Sequence, residues 1–274
     1  ITNYPQDEDE IFESPNHPKD ASMGSRHIPF AREVYIERSD FFDTGPDGSV
    51  PVPKGYKRLI PGGNVRLRLA YVITCDEVVR DPGTGVVLEL RCSYDQSTRS
   101  GVTPEGSKRC KGIVQWVSVK HALPAEVRLY DRLFSSPAPG KDREDEDFLK
   151  DINTDSLCVA SDAVVEPSLA SSCLPGTVFQ FERIGYFCVD AVENTVESIS
   201  AATTTMVGGN AEGAKPPRIK LNRVVTLKDT WVPAKQDREK KQQQQQQGGG
   251  GGGGRGNAAP IEDHRRVEFR VGKV

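Results

Sequence analysis

The sequence predicts a mainly β protein punctuated by short helical turns. Three observations carry that prediction. Short runs rich in Val, Ile, Leu, Tyr and Phe alternate with polar residues at a period of two. Clusters of Gly, Pro and Asp separate those runs, and 26 glycines with 19 prolines make up about a sixth of the 274 residues. Helical periodicity is scarce, and only Phe148–Asn153 and Pro167–Cys173 read as single helical turns.

In chain order, Glu33–Glu37 is the first expected strand. Asn64–Thr74 is the clearest, with Val65, Leu67 and Leu69 on one face and Arg66 and Arg68 on the other. Asp81–Gly85 reads as a hairpin turn leading into a strand over Val86–Tyr94. Further strands are expected at Gly112–Ser118, Ala125–Leu133, Thr177–Glu182, Gly185–Asp190 and Leu221–Lys228. Many short strands with regular turns favour barrels or sandwiches over βαβ units. Five segments are expected to lie outside the core: Asp7–Glu13, Thr44–Gly55, Ser97–Lys108, Lys141–Asp147 and Asn194–Pro217. Residues 235–260 contain a run of six glutamines, Gln242–Gln247, followed by a run of seven glycines, Gly248–Gly254, and read as a solvated, disordered linker. Residues 261–274 recover strand alternation in VEFRV, which fits either an added edge strand or a tail.

Composition excludes several classes. No run of 18 apolar residues exists, so no transmembrane helix is expected. The acidic start lacks the basic and apolar pattern of a signal peptide, and the absence of an initiator Met suggests an internal fragment. The six cysteines are at least 15 residues apart, which argues against zinc and for reduced thiols in an intracellular protein. With 36 basic against 39 acidic residues the net charge is −3, so a uniformly basic nucleic-acid coat is excluded. That total hides an uneven distribution. Residues 1–13 carry five acidic and no basic side chains, and residues 141–147 carry five acidic and two basic, which leaves the remainder at +5.

No catalytic constellation assembles. The four histidines form no metal-binding pair, and neither a G-x-S-x-G elbow nor a nucleotide-binding glycine fingerprint occurs. RNA recognition is better supported. Tyr56–Arg68 carries four positive charges, Lys57, Arg58, Arg66 and Arg68, and no negative one. Two guanidiniums on one strand face can grip phosphates or read guanine edges. In Phe179–Arg183, the two phenylalanines suit a core, while Gln180 and Glu182 share the opposite face with Arg183 beside them. An amide and a carboxylate side by side offer donors and acceptors to an unstacked uracil, which presents one N–H between two carbonyls.

Taken with their neighbours these residues resemble a known family. Asn16-His17-Pro18 with Met23-Gly24-Ser25-Arg26, the block Gly112–Ser118 continuing through His121–Phe134, FQFERIGYF at Phe179–Phe187 and NRVVTLKDTW at Asn222–Trp231 are similar to the anticodon-binding region of glutaminyl-tRNA synthetases. The resemblance covers about residues 1–232. It implies two β-barrels over residues 1–234, with a middle stretch in the proximal barrel and the first part joined to the last strands in the distal one. It also implies roles. Gln180, Glu182 and Arg183 match the pocket for the middle uridine, Lys57 and Arg58 the third base, a guanine, and Arg66 and Arg68 the first base and its phosphates. Lys19 stands where the bacterial form has Asn, which suggests a phosphate contact.

The implied partners are the glutamine tRNA, the parent's upstream catalytic core and a synthetase complex reached through the tail, with no membrane. The implied setting is a cytoplasmic enzyme, and the long insertion and tail suggest a eukaryotic source. The core's nucleotide-binding motifs do not occur in these residues, so ATP and Mg²⁺ belong to the parent and the segment itself is expected to perform no bond chemistry. Rival readings are a glutamyl-tRNA synthetase of the same architecture, a 5S-RNA-binding ribosomal barrel and a protein-interaction module.

Overall fold

The computed structural model describes residues 1–106, 110–141, 145, 147–194 and 218–227, and the backbone alone of 268–269 and 271–273. The linker expected at 235–260 and most of the Asn194–Pro217 insertion lie outside the described residues.

The chain opens with a hairpin of β1 (Glu10–Pro15) and β2 (Ser25–Phe30). Asp7–Glu13 was expected to stay out of the core, and half of it does not. Phe12 is buried, and Glu10 accepts hydrogen bonds from the Tyr4 and Tyr71 hydroxyls at 3.0 and 2.6 Å and from Arg99 Nε at 2.9 Å. An inward carboxylate with three donors breaks the hydrophobic alternation that would have marked the strand.

Next come β3 (Val34–Tyr35), β4 (Asn64–Leu67), β5 (Val72–Arg80), β6 (Val87–Asp95), β7 (Ile113–Val114) and β8 (Val117–Ser118). A four-stranded sheet runs β6-β5-β4-β7, with β4–β7 parallel. The expected single strand Asn64–Thr74 is in fact two antiparallel strands, with Asn64 opposite Thr74. Leu69 adopts φ +60°, and Ala70 N–H bonds back to Leu67 O at 3.0 Å, so the chain reverses within four residues. The hairpin turn before β6 forms as predicted, with Asp81 Oδ1 accepting from the Gly83 and Thr84 amides. Phe12, Phe30, Tyr71 and Trp116 meet edge to face with centroids 4.9–6.3 Å apart and centre this first core.

The second core gathers β9 (Leu123–Tyr130), β10 (Leu157–Val165), β11 (Val178–Phe181), β12 (Gly185–Val189) and β13 (Ile219–Thr226). Along β9, Leu123, Ala125, Val127 and Leu129 are buried at the strand period. The sequence reading passed over β10 because a register shift between Ala160 and Ala163 interrupts its alternation. The two expected helical turns are 3-10 turns at Phe148–Asp151 and Pro167–Ser171.

The fold is mainly β, as predicted. The larger sheet runs β14-β10-β9-β13-β12-β11-β15, where β14 (Glu268–Phe269) and β15 (Val271–Lys273) come from one terminal stretch. That stretch lies parallel to β10 and antiparallel to β11, so it covers both edges of a five-stranded ladder. The barrel partition differs from expectation. The first core draws on residues up to Trp116 and the second on Leu123–Leu221, in sequence order. Pairing of β9 with both β10 and β13 collects the later strands into one sheet and leaves the early ones to the other.

Candidate nucleic-acid interface

The loop bearing Lys57 and Arg58 enters β4 against Gly112. A Cβ on Gly112 would lie 1.8 Å from Lys57 O, so only glycine permits this approach. Arg66 N–H bonds to Gly112 O at 2.9 Å and Arg68 N–H to Val114 O at 3.0 Å. Trp116 Nε1 donates to Arg68 O at 2.9 Å. The Gly112–Trp116 stretch is thus the bed on which the basic segment lies.

The four cations of that segment have different fates. Arg66 and Arg68 were expected to project together from one strand face, and they do not. Arg66 is only 9% exposed, and its guanidinium donates to Thr98 O and Val102 O at 2.7 and 2.8 Å, bracing the 3-10 turn at Gln96–Gly101. Arg68 falls in the turn beyond β4 and reaches Glu182 Oε1 at 2.5 Å. Arg58 lies with Nε 3.0 Å from Asp40 Oδ1 and donates to Ser39 O at 2.9 Å. Lys57 is exposed.

The opposite wall is the turn between β11 and β12. Phe179 and Phe181 are buried, with Phe181 edge-on to Phe187 at 4.7 Å. Gln180 is half-buried on the other side of the strand. Glu182 joins Arg68 to Gln115, whose Nε2 donates to Oε2 at 3.1 Å. Arg183 adopts φ +71°, rare for a non-glycine residue, and donates from Nη2 to Asp40 Oδ2 at 2.8 Å. Burial works against the Arg183 cation, but Asp40 and Glu37 outweigh it and hold its pKa above the usual arginine value.

Arg58, Arg68, Glu182 and Arg183 are therefore brought to one seam between the two cores, with Lys57 beside Arg58 and Gln180 two residues before Glu182. Lys19 sits elsewhere, at the tip of the β1–β2 hairpin, where its N–H bonds to His17 Nδ1 at 3.2 Å. Sequence reasoning missed Asp40, Glu37 and Gln115. Glu37 ends the expected strand Glu33–Glu37 and Asp40 follows it, and no pattern marks either carboxylate as a partner for residues far along the chain. A cavity of about 830 Å³ lies between the cores around Ile1, Arg32 and Asp162, and none of the predicted RNA contacts lines it.

Six free cysteines and no disulfide occur, with Cys75, Cys92 and Cys173 buried. Among the described residues no cluster of three or more His, Cys, Asp or Glu side chains is placed to hold a metal, and no helix is long and apolar enough to cross a membrane.

Comparison with known proteins gives two stretches of the chain a class. Two family models, each described as the anticodon-binding domain of class I tRNA synthetases (E and Q), match residues 1–95 and 113–190. The chain belongs to that anticodon-binding family. Its similar relatives are glutamine–tRNA ligases: 47% identical over 231 residues in Stutzerimonas stutzeri, and 46% over 231 residues in both Ectopseudomonas mendocina and Pseudomonas putida. These matches cover 84% of the chain but only 35–36% of each relative, so the chain spans about a third of the length of the curated relatives it matches.

Proposed function

We propose that this chain reads the anticodon of a glutamine tRNA on behalf of a parent glutamine–tRNA ligase. The observation that carries the reading is the seam itself. Side chains from two separate cores, Arg58 and Arg68 from the first and Glu182 and Arg183 from the second, are interlocked by ion pairs on an open surface. Lys57 and Arg58 face the third base, Gln180, Glu182 and Arg183 the middle uridine, and Arg68 the first base. Arg66 supports that last contact from behind through the loop it braces, and Lys19 meets a phosphate. Neighbouring carboxylates keep the net field modest, which favours reading a few bases over general attraction to phosphate.

The parent's ligation of glutamine with ATP and Mg²⁺, its cytoplasmic setting, its upstream core and a synthetase complex belong to the same proposal. The glutamine relatives favour it over the glutamate-specific reading. A eukaryotic source rests only on the insertion and tail, and the bacterial relatives weigh against it.

The test is binding of anticodon stem-loops in which single anticodon bases are changed. Arg58→Ala and Gln180→Ala should weaken binding to the native loop more than to loops altered at the third and middle base, respectively. Equal losses on all loops would reduce both residues to phosphate contacts. The chain alone should form no glutaminyl-tRNA.

A further inference from the structure

We infer that Asp40 is a positioning residue for anticodon reading, one carboxylate that holds Arg58 and Arg183 together and so couples recognition of the middle and third bases. The inference rests on the anticodon reading above and goes beyond it in naming what sets the two arginines.

Asp40 closes the 3-10 turn Arg38–Asp40 and is fully buried. Its backbone is pinned from both sides: Asp40 N–H bonds to Glu37 O at 2.9 Å, and Leu59 N–H bonds to Asp40 O at 3.0 Å. Phe42 N–H then bonds to Leu59 O at 2.9 Å, so the turn is zipped to the strand-like stretch that carries Arg58. A carboxylate buried this far is tolerated only when cations meet it. Both cations that meet it are residues placed at the RNA seam. Arg183 Nη2 donates to Oδ2 at 2.8 Å. Arg58 Nε stands 3.0 Å from Oδ1, yet Oδ1 accepts no aligned hydrogen bond, so that attraction is chiefly coulombic. Arg58 is separately tied to Ser39 O at 2.9 Å, and Glu37 stands 3.6 Å from Arg183 Nη2.

The two arginines come from different cores, and each keeps about a third of its side chain open to solvent, 37% for Arg58 and 31% for Arg183. Each can thus touch a base with one edge of its guanidinium while the other edge stays on Asp40. Arg183 also holds a left-handed backbone conformation at φ +71° that non-glycine residues rarely adopt, and such strain persists only where the surroundings over-determine it. The tight β11–β12 turn, closed by Ile184 N–H on Phe181 O at 3.0 Å, sets that backbone, and the ion pair with Asp40 fixes the side chain it carries. Moving one arginine onto its base shifts the carboxylate they share, and through it the other.

The experiment uses the full chain and four stem-loops: native, middle base changed, third base changed, and both changed. In the wild type, the loss from the double change should differ from the product of the two single losses by several-fold. Asp40→Asn keeps the shape and removes the charge. It should weaken native-loop binding by roughly 10- to 100-fold, flatten discrimination at both bases and make the two base changes multiplicative. An Asn variant that binds every loop more weakly by one common factor would overturn the inference, as would loss of discrimination at one base only. If the variant fails to fold, the wild-type cycle still decides, because strictly multiplicative losses there exclude a shared anchor. A wild type that does not distinguish the native loop at all would instead sink the anticodon reading itself.

Discussion

Gly112→Ala is the substitution whose outcome the structure fixes most sharply. The added methyl would sit 1.8 Å from Lys57 O and 3.0 Å from Val65 Cγ2. Ordinary contact begins near 3.4 Å, so Lys57 must retreat by about 1.6 Å. Neither obstacle is the free end of a flexible side chain. Lys57 O is backbone, and Val65 is fully buried in the first core. Overpacking of this kind costs about 1–3 kcal/mol, which for a chain of this size lowers the melting temperature by roughly 2–12 °C. The displaced backbone carries Lys57 and Arg58, so the third-base contact moves out of hydrogen-bond geometry. Binding of the native stem-loop should fall roughly tenfold or more, while a loop already altered at the third base should lose little. Thermal unfolding and stem-loop titration measure both effects. Gly83→Ala is the control, since its Cβ would meet only Asp81 Oδ1 at 3.5 Å, and it should change neither quantity appreciably. An alanine at 112 with unaltered melting and unaltered third-base discrimination would refute the claim that this glycine seats the basic loop.

Three further outcomes are expected. Arg26 and Glu166 form an ion pair between the β1–β2 hairpin and the second core with the carboxylate 1% exposed, so Arg26→Ala should cost about 3–5 kcal/mol in urea unfolding by stranding a buried charge. Hydrogen bonds from Arg128 and Lys220 hold the Glu193 carboxyl down at about 2, below its ordinary 4.5. Its contribution to stability is complete above the ordinary value and is lost as pH falls from there toward 2, so Glu193→Gln should flatten the acid limb of a stability–pH curve, and an unchanged slope would remove the network from the account. Deleting residues 261–274 uncovers the free edges of β10 and β11, and amide exchange at Val164–Val165 and Phe179–Phe181 should accelerate; unchanged protection would mean the terminal stretch does not pair there in solution.

Much of the fold was legible locally, and the misses have physical reasons. Strands whose inward residues are all apolar, such as β9 and β12, announce themselves by alternation. β1 did not, because its inward positions include Glu10 and Ser14. β10 did not, because an irregular register shifts its alternation midway. The reversal after Leu67 was hidden because its left-handed residue is a leucine, where sequence rules look for glycine or asparagine.

For the candidate site, the sequence by itself determined which cations and amides are at hand. The run from Lys57 to Arg68 and the Gln180–Arg183 stretch are local facts of composition and spacing. Only the tertiary structure decided what each does. It turned Arg66 inward onto loop carbonyls, sent Arg68 across to Glu182, and set Arg58 and Arg183 on one buried carboxylate. Charge is written in the chain, but where a charge points depends on which partner desolvates beside it. Asp40 and Arg183 are separated by 143 residues, a distance over which no pattern in the sequence foretells contact.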